Sequence, residues 1–268
     1  WGVENAKGPR LPLCLIPTTA GTGSEVTPVS IITLDGDEKR GVVSSILLPD
    51  LAILDPNFTV ALPKSITAAT GIDAMVHAIE AFSSKNPNNN YFSQVMAKEA
   101  LVLLSRSIRL AVFQGENVDA RTDMLLGSTM AGIAFGNSPV AAVHALAYPL
   151  GGTFHIPHGL SNALVLSEVL KFNAADKKAA ADYAELAQIV CPTLQKFTFN
   201  EPEEIQLSHY FRSLSKTLGL PVRLRELNVP KSALKKLANE AMKQTRLLVN
   251  NPRVMKEDDA LRIYQSVW

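Results

Sequence analysis

Gly71 to Glu80 reads GIDAMVHAIE and places Asp73 and His77 four residues apart in a run of helical periodicity. Side chains at i and i+4 lie one above the other on an α-helix, so this carboxylate and imidazole converge beside one face. Such a pair can hold a metal. The same spacing also arises on ordinary solvated helix faces, so the pair alone does not establish a site.

Working outward, the pattern after Asp55-Pro56 is helical to the end of the chain. Pro63 to Ser84 is the first predicted helix, broken by NPNNN (Asn86 to Asn90); Tyr91 to Phe113 is the second and Val118 to Phe135 the third. Ser138-Pro139 reads as an N-cap followed by proline at the first helical position, which predicts a helix over Val140 to Tyr148 that stops at Pro149. Beyond Gly151-Gly152 come Leu160 to Phe172, Lys177 to Val190 and Glu203 to Leu218. The last carries Leu207, Phe211, Leu214 and Leu218 on one stripe, with Gly219 as a stop. Pro230 to Gln244 and Lys256 to Val267 complete the helical part.

Upstream the signals are strands. Leu11 to Pro17 is a short apolar run, Pro28 to Leu34 is rich in β-branched residues, DGD (Asp35 to Asp37) marks a tight turn, and Arg40 to Leu48 can return antiparallel; Leu51 to Leu54 adds a last short strand. A free-standing parallel nucleotide domain needs βαβ units of about 30 residues or more, each with a crossover helix, and none is present here. The fold class is therefore α+β, an all-helical domain over residues 59–268 behind residues 1–58, the strand-rich remainder of a larger α/β domain. The first residue is Trp1 rather than methionine, which suggests that more chain precedes it.

The balance of charge, 26 Lys+Arg against 25 Asp+Glu, gives no field for nucleic acid or an anionic membrane, and a small-molecule partner is expected. No apolar run approaches the ~20 residues of a membrane span. The two cysteines, Cys14 and Cys191, lack any zinc or redox spacing and read as buried thiols, so a cytoplasmic location is expected.

Of five histidines, four, His77, His144, His155 and His158, fall between residues 77 and 158. His144 lies on the helix after Ser138, and His158 sits in the loop IPHG before the next helix. Taken singly, His144 reads as a core histidine and His158 as a helix cap. Taken together with Asp73 they make a credible ligand set, and imidazoles with a carboxylate suit Zn²⁺ or Fe²⁺ better than Mg²⁺ or Ca²⁺. A second chemical stretch, PTTAGTGSEVT (Pro17 to Thr27), offers hydroxyls, backbone N–H groups and two close-approach glycines, Gly21 and Gly23. It matches neither the P-loop nor GxGxxG and could equally be a polar turn.

In order and spacing, PTTAGTGSEVT, LDP, TAATGIDAMVHAIEAF, HALAYPLGG, IPHGLSNA and the terminal NPRVMKEDDALRIY closely resemble the iron-containing (group III) alcohol dehydrogenases. The resemblance implies that residues 1–58 are the remainder of a Rossmann-like domain and that Asp73, His77, His144 and His158 hold the metal, iron or zinc. It implies that Thr18, Thr19, Thr22 and Ser24 contact NAD or NADP and that Lys39 reaches the cofactor near the nicotinamide ribose. The implied activity is hydride transfer between a small alcohol and its carbonyl product, in a homo-oligomer.

Two departures follow from that resemblance. Many relatives carry a second histidine in HxxxHPLG, where this chain has Tyr148, one turn from His144 and able to donate a hydrogen bond; His155 is a candidate for part of the missing proton-relay role. The Gly-Gly-Gly-Ser run that cradles pyrophosphate in the family is absent from these residues, so weak or no cofactor binding is expected of the chain as it stands. A dehydroquinate-synthase-like lyase, a maleylacetate-reductase-like enzyme and a metal-binding helical module are the alternatives. Acidic substrates would call for arginines near the cleft, and neither signature segment contains one.

Overall fold

The computed structural model describes residues 1–33, 39–190 and 202–268. The chain opens with five short strands, β1 (Gly2–Val3), β2 (Cys14–Leu15), β3 (Val29–Thr33), β4 (Lys39–Val43) and β5 (Leu51–Ala52). β3 and β4 pair antiparallel, with Val29 opposite Val43 and Thr33 opposite Lys39; β1 joins β4 in parallel, and β2 pairs with β5 in parallel. The β-branched Val29, Ile31, Ile32 and Thr33 favour this pleated hairpin. The turn expected at Asp35 to Asp37, like Cys191, lies outside the described residues.

Two expected strands are shorter than the apolar pattern implied. Leu11 to Pro17 contributes only β2, and Arg40 to Leu48 ends as a strand at Val43, followed by a 3₁₀ turn over Ser45–Leu47. Arg10 accounts for part of this: its guanidinium donates to the carbonyls of Ile46 (2.5 Å), Leu11 (2.7 Å) and Leu48 (2.6 Å), groups that a longer ladder would have used. Cys14 is exposed rather than buried, because its side of β2 carries no covering element among the described residues.

Among the described residues eleven helices follow, beginning with the short α1 (Asn57–Val60) and then α2 (Lys64–Ser83), α3 (Tyr91–Phe113) and α4 (Val118–Asn137). Asn90 starts α3 with a capping box, its Oδ1 accepting from the Ser93 amide (3.0 Å) while Ser93 Oγ accepts from the Asn90 amide (3.1 Å). Asn117 caps α4 through the Ala120 amide. α2 is buried almost continuously from Thr67 to Ser83 and packs against α3, α4 and α6 (His158–Asn173). A helix apolar on all sides belongs in the middle of the domain. Asp73 and His77 are therefore carried on the central helix, not on a solvated one.

α5 spans Ala142–Phe154, which corrects the sequence reading at both ends. Ser138 does not cap it; it closes α4, with its Oγ 2.9 Å from Ser93 Oγ in the interior. Pro149 lies inside α5 without ending it, so the helix forgoes one backbone hydrogen bond there and is held by burial of its Ala145 to Leu150 segment. α6 begins at His158 itself, so this histidine belongs to a first helical turn rather than to a loop.

α7 (Lys177–Val190), α8 (Glu203–Thr217), α9 (Leu234–Met242), α10 (Thr245–Leu248) and α11 (Glu257–Ser266) complete the bundle. The expected stripe of Leu207, Phe211, Leu214 and Leu218 is buried, and Gly219 takes the left-handed conformation (φ 79°) that a helix stop favours. Pro230 to Gln244 is not one helix, because a 3₁₀ turn over Lys231–Ala233 precedes α9. The Tyr264 hydroxyl donates to the Leu146 carbonyl (2.6 Å) and docks α11 on α5. No single helix among the described residues is long and apolar enough to cross a membrane.

Candidate metal centre

Three helices bring four candidate ligands to one point: Asp73 and His77 from α2, His144 from α5 and His158 from the start of α6, with one ligand atom of each lying within 4.8 Å of the others. Asp73, His77 and His144 are buried, while the His158 side chain is 39% exposed and faces the mouth of a cleft. The His77 and His144 rings stack at 4.9 Å and the His144 and His158 rings lie 5.2 Å apart.

The imidazoles are aimed by their outer nitrogens. His77 Nδ1 lies 3.0 Å from the Gly21 carbonyl, so it carries the proton there and leaves Nε2 free to face the centre. His144 Nδ1 lies 2.6 Å from Glu80 Oε2, which turns its Nε2 inward in the same way. Glu80 is a functional residue that its type alone does not mark in the sequence. It sits at i+3 from His77 on the face of α2 that looks at α5, and that spacing was the available signal. Its carboxylate also accepts from the amides of Ala141 (2.9 Å) and Val143 (2.6 Å), and so caps α5 in the place expected for Ser138.

The donor chemistry fits a divalent transition metal of the zinc or iron type. The amide nitrogen of Asn162, one turn beyond His158, reaches Asp73 Oδ1 (2.5 Å), His144 Nε2 (3.3 Å) and His158 Nε2 (3.3 Å), a donor standing among lone pairs that all point inward. Its Oδ1 is buried with no partner, since turning the amide over would set oxygen against the Asp73 carboxylate. Burial alone would raise the Asp73 pKa, but its electrostatic interactions with the neighbouring imidazoles of His77, His158 and His144 and the Asn162 donor outweigh it and hold the carboxyl below its ordinary value. For His77 burial dominates and pushes the imidazole down to about 3, so it is neutral and able to donate a lone pair.

A cleft of about 410 Å³ opens beside this cluster. Thr22, Ser24, Asp73, His77, His144, Tyr148 and His158 all line it, between apolar walls from the β3–β4 hairpin, α4 and α10. Thr18 and Thr19 are not part of its lining, nor is His155, which ends α5 in the left-handed conformation (φ 54°) with its side chain exposed. Lys39 opens β4 opposite Thr33, and its side chain lies outside the described residues. Tyr148 stands 5.9 Å, ring to ring, from His158. Its phenol is raised above its ordinary pKa by burial, an effect that Arg246 partly opposes. Arg246, from α10, also lines the cleft, although no local pattern in the sequence connects it with the site.

The loop that reads TTAGTGSE is seated by close backbone contact. Gly23 (φ 57°) packs on Gly132 of α4 so tightly that a Cβ on Gly23 would lie 2.6 Å from Gly132 Cα. The loop also bears directly on the histidine cluster, through the contact of Gly21 with His77.

The chain matches the sequence description "Iron-containing alcohol dehydrogenase" over residues 2–56 and "Fe-containing alcohol dehydrogenase family, C-terminal" over residues 67–268. It is 40% identical over 269 residues to long-chain-alcohol dehydrogenase 1 of Geobacillus thermodenitrificans, covering 100% of this chain and 66% of that protein. Its fold superposes on a crystal structure of 1,3-propanediol oxidoreductase with a TM-score of 0.92 at 33% identity, covering 100% of this chain and 69% of the other. It superposes on sulfoacetaldehyde reductase from Bifidobacterium kashiwanohense, solved in complex with NAD⁺, with a TM-score of 0.83 at 30% identity, covering 97% and 65%. The chain thus spans about two thirds of the length of these proteins.

Proposed function

We propose a function from one premise: this chain belongs to the iron-containing alcohol dehydrogenase family. The reaction is reversible hydride transfer between a small alcohol and NAD, yielding the aldehyde or ketone, in a cytoplasmic assembly of identical subunits. The observation that carries this reading is the convergence of Asp73, His77, His144 and His158 beside a cleft that the TTAGTGSE loop also lines.

In this reading those four side chains hold Fe²⁺. When bound, the metal supplies a Lewis acid for the substrate oxygen and the nicotinamide supplies the redox chemistry. The protein's own residues place and protect the reacting groups. Gly21 and Glu80 keep the two inner imidazoles turned toward the centre. Tyr148, its pKa raised by burial, keeps its proton at neutral pH and donates from Oη to the substrate oxygen instead of acting as a base. Val29, Ile31, Val43, Phe135 and Leu247 keep water from the carbon that gives or receives hydride. Thr22 and Ser24, whose hydroxyls lie 3.0 Å apart, offer polar contacts to the cofactor.

The test is metal analysis of the purified full-length protein beside NAD reduction with a primary alcohol. One iron per chain with turnover is expected, and both should be lost in Asp73→Ala while the far-UV circular dichroism is kept. Bound metal with no turnover on any alcohol or aldehyde would instead favour a metal-binding helical module.

A further inference from the structure

The cleft beside the histidine cluster is apolar along most of its walls, yet among the described residues one permanent cation lines it. Arg246 sits in the single turn of α10, far in sequence from both signature segments, and is exposed toward the cleft. Its guanidinium lies over β4 at Gly41, where an added Cβ would stand 3.8 Å from Nη2, and it acts on the phenol of Tyr148 through charge and hydrogen bonding. Tyr148 in turn faces His158. The cleft is therefore lined by two chemically distinct groups, the cluster of Asp73 and three histidines and the guanidinium, with Tyr148 neighbouring both.

Among the described residues no carboxylate forms an ion pair with Arg246, whereas Arg10, Arg106 and Arg262 each have one. The Tyr148 oxygen can occupy one of the five N–H donors of a guanidinium, which leaves a planar fork suited to a bidentate anion. Val29, Ile31, Val43 and Leu247 line the same cleft, and apolar walls of this kind focus the field of a charge so that it attracts an incoming anion more strongly than at a flat surface. A charge at this place does nothing for an unsubstituted alkyl chain.

We infer that Arg246 is a specificity-determining residue that binds the anionic far end of the substrate, so that the preferred substrate is a short aldehyde or alcohol bearing a carboxylate or similar anion on its terminal carbon. The inference rests on the alcohol–carbonyl reading of the site and deepens it. The hydride chemistry is unchanged: the oxygen-bearing carbon faces the histidine cluster, the apolar walls enclose the methylenes, and the anion meets the guanidinium. Shortness follows because a single side chain, Tyr148, neighbours His158 and interacts with Arg246.

The test compares reduction of succinic semialdehyde and butanal, which have the same carbon count, by the metal-loaded full-length enzyme. A charge-assisted contact of this kind predicts a preference for the charged aldehyde of about 10–100-fold in kcat/KM, expressed mainly in KM. In Arg246→Met the ratio of the two kcat/KM values collapses toward unity, and in Arg246→Lys part of it returns. Calorimetric binding of 4-hydroxybutyrate without cofactor gives a second readout, expected in the wild type and lost in Arg246→Met. Butanal reduced as well as succinic semialdehyde would overturn the anion subsite and leave the dehydrogenase reading standing. Binding of 4-hydroxybutyrate that depends on Arg246, with neither aldehyde reduced, would support the subsite and sink the dehydrogenase reading. A raised KM for NADH in Arg246→Met with an unchanged aldehyde ratio would place the guanidinium on the cofactor and defeat the inference.

Discussion

Glu80 Oε2 lies 2.6 Å from His144 Nδ1, and the same carboxylate accepts the Ala141 and Val143 amides, so one buried side chain both caps α5 and aims a candidate metal ligand. Glu80→Gln keeps the size but turns one acceptor into a donor that faces N–H groups. Metal affinity should fall by about 10–100-fold, as when other partners that orient a ligand are lost. Titration of the metal-free protein with Fe²⁺ or Zn²⁺ measures this, and unchanged affinity would show that Glu80 serves only the helix.

Gly159 lets α6 approach α2: a Cβ there would lie 2.4 Å from the Ala69 carbonyl oxygen and 3.2 Å from Asp73 Cβ. Both contacts are with the helix that carries Asp73 and His77. Gly159→Ala should destabilise the fold by about 1–3 kcal/mol through overpacking and push His158 away from its partners. Denaturant unfolding together with metal stoichiometry reads both effects. A variant with wild-type stability would mean that the helices separate without strain.

Tyr148→Phe removes the only phenol among the described residues of the cleft lining and should lower kcat by about 10²-fold, at the low end for a positioned proton donor. His155 is the other candidate for proton relay, and it stands on the outer end of α5. An unchanged pH–rate profile in His155→Asn would eliminate it, while a change in that profile would give it the role assigned here to Tyr148.

Arg10 grips Asp50 with two donors, at 2.6 and 3.0 Å, and the Leu13 amide donates to the same carboxylate at 2.7 Å. The Arg10 hydrogen bond chiefly, with the Leu13 amide, lowers the Asp50 pKa from 3.8 to about 2. A depressed acid pKa stabilises the fold above the unfolded value and loses that contribution as pH falls through the folded one. The Tm of Asp50→Asn should therefore lie below the wild type at neutral pH, and the gap should close between pH 3.8 and about 2. A gap independent of pH would mean that the carboxylate charge contributes nothing.

Much of the site was legible because its signals are local. Asp73 and His77 share a helical turn, and the helices of residues 64–137 follow from caps and apolar periodicity, so their placement needed no long-range information. Asn162, one turn after His158, and Glu80, one turn after His77, were equally local but carried no distinctive residue type. The misreadings at Ser138 and Pro149 have one origin. Local capping and breaking preferences are worth about 1–3 kcal/mol, and a buried carboxylate together with a packed interior outweighs them.

The sequence by itself determined an α+β chain with a helical majority and the family to which it belongs, because periodicity and the order of signature segments are written along the chain, and it paired Asp73 with His77, because their spacing lies along one helix. Tertiary structure alone decided that the Gly21 carbonyl aims His77, that Glu80 both caps a helix and orients His144, and that Arg246 shares a cleft with the histidines. Those pairs are joined through packing of α2, α5, α6 and α10 across separations of 56 and 64 residues in the two cases measured, and no periodicity encodes which distant groups meet once the apolar faces are buried.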